Sequence, residues 1–293
     1  MPRTDRPRLR GTTVPVVICA ILSLWFALAA HAATLELLPA ADNTIYEPAP
    51  PFDPSSSELN PSNGAGDFIF AGRVADMNEG LRRRALVGFD LAAQIPAGSI
   101  ITEVTLRLYL SQTITAPVVT TDVSLHRLTS TWGEAASDAS GQEGGGANAI
   151  LGDATWFHAE FDTTLWQLPG GDFLPQASAT TAIGDRNLFY TWSEPRMIAD
   201  AQCWLDDPGQ NFGWILLGDE SVSATAKRFD SRDSFSFDLT TNRRTLPVLT
   251  VTYVPEPDSA GLMMAALLAS LGTRRRAVAL GNAHARTPFT TSP

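Results

Sequence analysis

Alternation dominates the middle of the chain. Val104, Leu106, Leu108 and Leu110 are separated by Thr105, Arg107 and Tyr109, so one face of an extended segment is apolar and the other polar. Further runs with strand character are residues 34–38, 68–71, 85–91, 123–128, 180–183, 189–192, 212–217 and 248–253. The run 212–217 is almost continuously apolar, as in a central strand covered on both faces. Clusters of Gly, Pro, Asn and Asp separate these runs. Residues 195–207 are different, because Ile198, Ala201, Trp204 and Leu205 recur with helical spacing. Many short strands with turn signals and a single helix predict an all-β domain. Its expected form is an antiparallel two-sheet β-sandwich, a jelly roll with one short helix.

No repeat of fixed period and no linker divides the chain. Residues 47–63 are rich in Pro and Ser and read as a surface loop. Residues 130–153, containing Gly144, Gly145 and Gly146, form a second long loop. It lacks the Gly-Lys-Ser/Thr ending that cradles a phosphate, so nucleotide binding gains no support from it. Its glycines fit close approach to, or movement over, a neighbouring surface.

The two ends carry a different pattern. Arg3, Arg6, Arg8 and Arg10 precede an apolar run over residues 14–30, and Ala30-His31-Ala32 supplies the small-x-small site for signal peptidase. Residues 1–32 are therefore expected to be a signal peptide cleaved before Ala33, with a signal helix retained as a membrane anchor as the alternative. At the other end Val254, Pro255, Glu256 and Pro257 lead into an apolar run of residues 260–272, followed by Arg274, Arg275 and Arg276. The run is shorter than the roughly 20 residues that cross a bilayer unaided. A tail of residues 277–293 is expected to be disordered.

These two ends together resemble the PEP-CTERM proteins of Gram-negative bacteria. The resemblance covers residues 254–276 and implies a C-terminal sorting helix recognised by an exosortase. It further implies transient anchoring in the inner membrane and delivery to the cell surface or an exopolysaccharide matrix. The expected organisation is then a signal peptide, one β-domain over residues 33–253, a sorting signal and a tail.

Charge narrows the partners. Residues 33–253 contain 28 Asp and Glu against 13 Lys and Arg, a formal charge of −15. Such a surface repels nucleic acid and anionic lipid. No cofactor is expected, although free carboxylates suit calcium, whose preferred ligands are oxygens. Cys203 is the one cysteine of this region, so an intramolecular disulfide is impossible there and a core must supply stability.

The domain resembles the DNRLRE-domain proteins, a bacterial group related to carbohydrate-binding modules. The blocks that carry the resemblance, in order, are residues 84–91 (RALVGFDL), 95–98 (IPAG), 105–108 (TLRL), 125–128 (LHRL), 132–134 (WGE), 152–156 (GDATW), 211–214 (NFGW) and 228–232 (RFDSR). The naming hexapeptide itself does not occur. The resemblance implies a β-sandwich and, in some members, binding of an acidic polysaccharide such as alginate.

Catalysis finds no recognisable motif. Neither G-x-S-x-G nor H-E-x-x-H is present, and His126 and His158 lie far apart. Glu134, Asp153, Glu160 and Asp162 could supply a glycosidase pair, as could many acidic domains. No enzyme activity is expected. Sugar binding has its own signature, because C–H faces of a sugar pack on aromatic rings while polar neighbours fix the hydroxyls. Trp132, Trp156 and Trp166 lie in or beside the long-loop region with His158, whereas Trp192, Trp204 and Trp214 fall on strand or helix positions and read as core. For Trp156 and Trp166, pinning into a satellite cluster by the adjacent turns is an equal alternative. Arg228 and Arg232 complete the candidate set, either gripping a uronate carboxylate or pairing with Asp230 and Asp233. The expected partner is an extracellular polysaccharide, with an inert matrix component as the other class.

Overall fold

A computed structural model describes residues 31–50, 52–75, 81–114 and 117–256. The expected signal segment up to residue 30, Pro257, the apolar run 260–272, Arg274, Arg275, Arg276 and the tail lie outside the described residues. The strands are β1 (Ala33–Leu37), β2 (Ala41–Tyr46), β3 (Pro61–Ser62), β4 (Phe68–Arg73), β5 (Arg82–Gly88), β6 (Ile100–Gln112), β7 (Thr121–Arg127), β8 (Ala147–Asn148) and β9 (His158–Glu160). They continue with β10 (Thr164–Leu165), β11 (Ala179–Ile183), β12 (Leu188–Trp192), β13 (Trp214–Leu217), β14 (Lys227–Asp230), β15 (Phe237–Asp238), β16 (Arg243–Arg244) and β17 (Val248–Val254). One α-helix, α1 (Pro195–Asp206), stands among the described residues.

The fold is antiparallel β. An 11-stranded sheet runs β1-β17-β6-β14-β4-β5-β13-β7-β11, with β12 added to β6 and β2 added to β5. β4 belongs to both halves, because Phe68 to Ala71 pair with β14 while Gly72 and Arg73 pair with β5. The sheet curls at this strand. Alternate residues of β6, β17, β5, β7 and β13 then enter one core that includes Leu106, Leu108, Val251, Val87, Leu125 and Trp214.

The two halves of the sheet are bonded across that core. The Trp192 indole on β12 donates to the carbonyl of Val123 on β7 at 2.8 Å, and its ring meets Phe229 of β14 edge-on. Helix α1 begins at a proline, whose fixed φ suits the first turn, and inserts Met197, Ala201, Trp204 and Leu205 into the same core. Trp204 lies 4.5 Å from Trp214, ring centre to ring centre, and the Trp214 indole donates to the Asp200 carboxylate at 2.9 Å. Cys203, on the same helix, is half-buried.

A second cluster covers the opposite face of β5 and β13. Leu86 and Ile215 pack there on Trp156, Trp166 and Ala159 from the long loops. β13 is thus enclosed on both faces, as its unbroken apolar run requires. Two strands escaped the alternation rule. β2 buries Asp42, Asn43 and Thr44, and β14 buries Lys227, so polar residues occupy positions the rule assigns to solvent. Their hydrogen bonds explain the exception. Asn43 Oδ1 accepts from Ser62 Oγ and the Asn63 N–H while its Nδ2 donates to the Gly133 carbonyl.

Candidate functional site

Trp132, Gly133 and Glu134 point three ways from one stretch of loop. Gly133 is pressed against the chain at residue 152, where a Cβ would come within 1.7 Å of the Gly152 carbonyl oxygen. Only glycine permits that approach. The contact is held by the Ala154 N–H, which donates to the Gly133 carbonyl at 2.9 Å. Fixed at this point, the loop presents Trp132 on one side and Glu134 on the other.

The Trp132 side opens into a cleft of about 290 Å³, walled by Trp132 and Phe212 and including Gly88, Asp90, Thr131 and Asn211. Trp132 is half-buried, and its Nε1–H donates to the Phe212 carbonyl at 2.8 Å. Phe212 is held by the residue after it. Gly213 has φ +76°, and a Cβ there would meet the Val87 carbonyl oxygen at 2.1 Å. Asn211 donates to the Phe89 carbonyl at 2.7 Å, tying the third wall to the residue after β5. Space over the indole remains because Gly88 has no side chain; a Cβ there would lie 3.5 Å from Trp132 Cζ2.

The Glu134 side is an ionic network. Arg232 pairs with Glu134 at 2.9 Å, lies 3.6 Å from Asp233 and donates to the Ala40 carbonyl. Its backbone N–H donates to Asp42 at 2.7 Å, and the Asp42 N–H donates to Glu134 at 2.9 Å. Asp42 is fully buried. Burial chiefly pushes its carboxyl up to about 8, against the lowering effect of the Arg232 N–H, with Glu134 adding repulsion. Burial also raises Glu134, opposed by the Asp42 N–H and Arg232. Arg232 is therefore a structural cross-link between residues of the loop, β2 and the segment after β14.

Arg228 lies elsewhere. Its guanidinium stacks 3.7 Å from the Phe68 ring centre, and its N–H groups donate to Ser111 Oγ and Gln142 Oε1. It borders a separate cleft of about 200 Å³ with Gln112, Thr113 and Gln142. The expected set of site residues is thus divided, with Trp132 and Arg228 in different clefts and Arg232 in neither lining.

Trp156, Trp166 and His158 are not surface groups. Trp156 is 4% exposed and Trp166 is 5% exposed. The Arg82 and Arg84 guanidiniums cover Trp156 at 4.8 and 4.7 Å, and Trp166 Nε1–H donates to the Thr155 carbonyl at 2.8 Å. His158 bonds Thr155 Oγ1 at 3.0 Å and meets Phe161 edge-on; burial holds its imidazole below the usual histidine range. Trp156 and Trp166 pack with Leu86, Ala154 and Ile215, so of the two readings open for them, ligand stacking and a satellite cluster, they take the satellite cluster. The reason is the long loop itself, which needs an apolar underside to lie on the sheet.

Sequence reasoning missed Phe212, Asp90 and Asp42. The apolar run predicts a strand from Phe212 onward, whereas β13 starts at Trp214. The Asn-Phe-Gly order was the available signal, since glycine directly after an aromatic permits the sharp turn that leaves the ring at a rim. Glu143, next to the loop glycines, is held by its carboxylate, which accepts from Asn63 Nδ2 and the Phe68 N–H, and Gly146 lies so close to β3 that a Cβ there would meet Pro61 Cβ at 2.9 Å. His126 is bonded to Ser124 Oγ at 3.0 Å and to the Leu174 carbonyl at 2.9 Å on its strand. Among the described residues no group of three or more His, Cys, Asp or Glu is placed to hold a metal ion, and no helix is long and apolar enough to cross a membrane. Val254 ends β17 paired with Ile100, and Pro255 and Glu256 follow it. No protein-family model and no curated protein matches this chain.

Proposed function

We propose that this chain is an exported surface or exopolysaccharide-matrix protein whose β-domain binds extracellular polysaccharide, without catalysis, in the cleft between Trp132 and Phe212. The observation that carries the reading is the half-buried indole of Trp132, fixed by its hydrogen bond to Phe212 beside an open cleft. Aromatic walls with a few polar groups at the rim suit the C–H faces and hydroxyls of a sugar ring. The curled sheet is read as a jelly-roll sandwich of the DNRLRE type. Its first strand starts at Ala33, the residue expected to follow signal-peptide cleavage, and its last ends at Val254, where the sorting motif begins.

Two experiments test the reading. A glycan array probed with the purified protein, with and without calcium, should give binding that Trp132→Ala abolishes; silence on a broad array would leave a non-binding matrix component. For sorting, alanines at Pro255, Glu256 and Pro257 should leave export intact and retain the protein in the inner membrane through Arg274, Arg275 and Arg276. Release of that variant at the normal mass would refute exosortase processing.

A further inference from the structure

The chemistry of the cleft walls is one-sided. Asp90 is the single ionisable residue among those lining the cleft, and it is exposed. Its Oδ1 accepts from the Ala93 N–H at 3.1 Å. Beside Pro208, which lines the same cleft, stand the exposed carboxylates of Asp206 and Asp207. Asn211 brings no charge to the wall, since its Nδ2 donates to the Phe89 carbonyl and its Oδ1 is buried. The Arg232 guanidinium, which reaches this wall at the Ala40 carbonyl, is already paired with Glu134.

We infer that the Trp132 cleft takes saccharides that carry no anionic group and excludes uronates, an inference that rests on the polysaccharide-binding reading of the same cleft. Hydroxyls of a neutral sugar donate to the Asp90 carboxylate, whereas a uronate carboxylate brings only acceptors. Two carboxylates several ångströms apart at a protein surface repel by enough to weaken binding roughly tenfold or more. The charge of the whole domain adds to this at long range, because 28 acidic and 13 basic residues in 33–253 deter a polyanion before contact. Arg228 does not reverse the balance, since it borders the other cleft.

Affinity electrophoresis through gels containing a neutral galactomannan or polygalacturonate reads the difference. The wild-type protein should be retarded by galactomannan, independently of added salt, and pass polygalacturonate unretarded. Trp132→Ala should lose the galactomannan retardation. Gly88→Val should lose it as well while keeping the indole, because the added side chain fills the space over Trp132. Asp90→Asn should be retarded by polygalacturonate where the wild type passes, since removing one repulsive charge strengthens binding roughly tenfold. Polygalacturonate retardation of the wild type that disappears in both Trp132→Ala and Gly88→Val would overturn the selectivity and leave the cleft as a sugar site. Galactomannan retardation untouched by either variant, or no retardation by any polymer, would remove the cleft reading and the selectivity with it.

Discussion

The indole N–H of Trp132 donates to the carbonyl oxygen of Phe212 across 2.8 Å, joining residues 80 positions apart. Neither ring reaches the deep core between the two halves of the sheet. Both pack instead on the satellite cluster and leave one side toward the cleft. The bond makes the aromatic wall a fixed surface, which spares a ligand the cost of ordering a loose side chain.

Trp132→Phe should keep an aromatic wall but lose this bond. A stability loss of about 1 kcal/mol is expected from one neutral hydrogen bond, with polysaccharide retention weakened but not abolished. Urea unfolding and affinity gels measure the two effects separately. A fall in retention with no change in stability would mean that the bond does not hold the ring in the folded protein.

Trp156→Ala and Trp166→Ala should each destabilise the fold by about 3 to 5 kcal/mol, the usual cost of emptying a buried tryptophan site. Trp156 also supports the Arg82 and Arg84 guanidiniums, which pair with Glu47 and Glu220. Denaturant midpoints should drop clearly for both. An unchanged midpoint would contradict their place in the satellite core.

Asp42 sets a pH dependence. Its folded pKa, raised to about 8 chiefly by burial, lies above the ordinary aspartate value near 4 that the unfolded chain shows. The folded state therefore holds the proton more tightly. Stability from this group is complete below the unfolded value and is lost as pH rises toward 8, by about 1.4 kcal/mol per unit at the steepest. Asp42→Asn keeps an oxygen for the Arg232 N–H and cannot ionise. Its stability relative to wild type should climb between about pH 4 and pH 8. A constant difference across that range would show that Asp42 ionises freely in the fold.

Lys227 is the only lysine in the chain, and it is fully buried. Its ammonium donates to Thr113 Oγ1 at 3.0 Å and to the Val119 carbonyl at 2.7 Å, and burial holds it below the usual lysine range. An amine-reactive ester should leave it unmodified in the native protein and label it on unfolding, as peptide mapping by mass spectrometry would show. Rapid native labelling at Lys227 would mean that the segment over it opens readily. Lys227→Met should cost stability, because the Val119 carbonyl and Thr113 hydroxyl lose a charged donor.

The chain by itself determined the elements whose side chains alternate or recur with a clean period. The apolar face of β6, the enclosed run of β13 and the spacing of α1 are legible because burial selects apolar residues at positions that local geometry repeats. It determined the acidity of the domain too, since charge is additive over residues. The Trp-Gly-Glu block was legible as a unit, but not the separate duties of its members. What only the tertiary structure decided is which tryptophan faces outward and which arginine is already paired. Trp132 and Trp156 sit in similar loop sequence, yet one borders a cleft and the other lies beneath two arginines from β5. Arg228 and Arg232 are four positions apart, yet one stacks on Phe68 and the other locks Glu134. Those outcomes depend on contacts between residues distant in sequence, where no local period exists to report them.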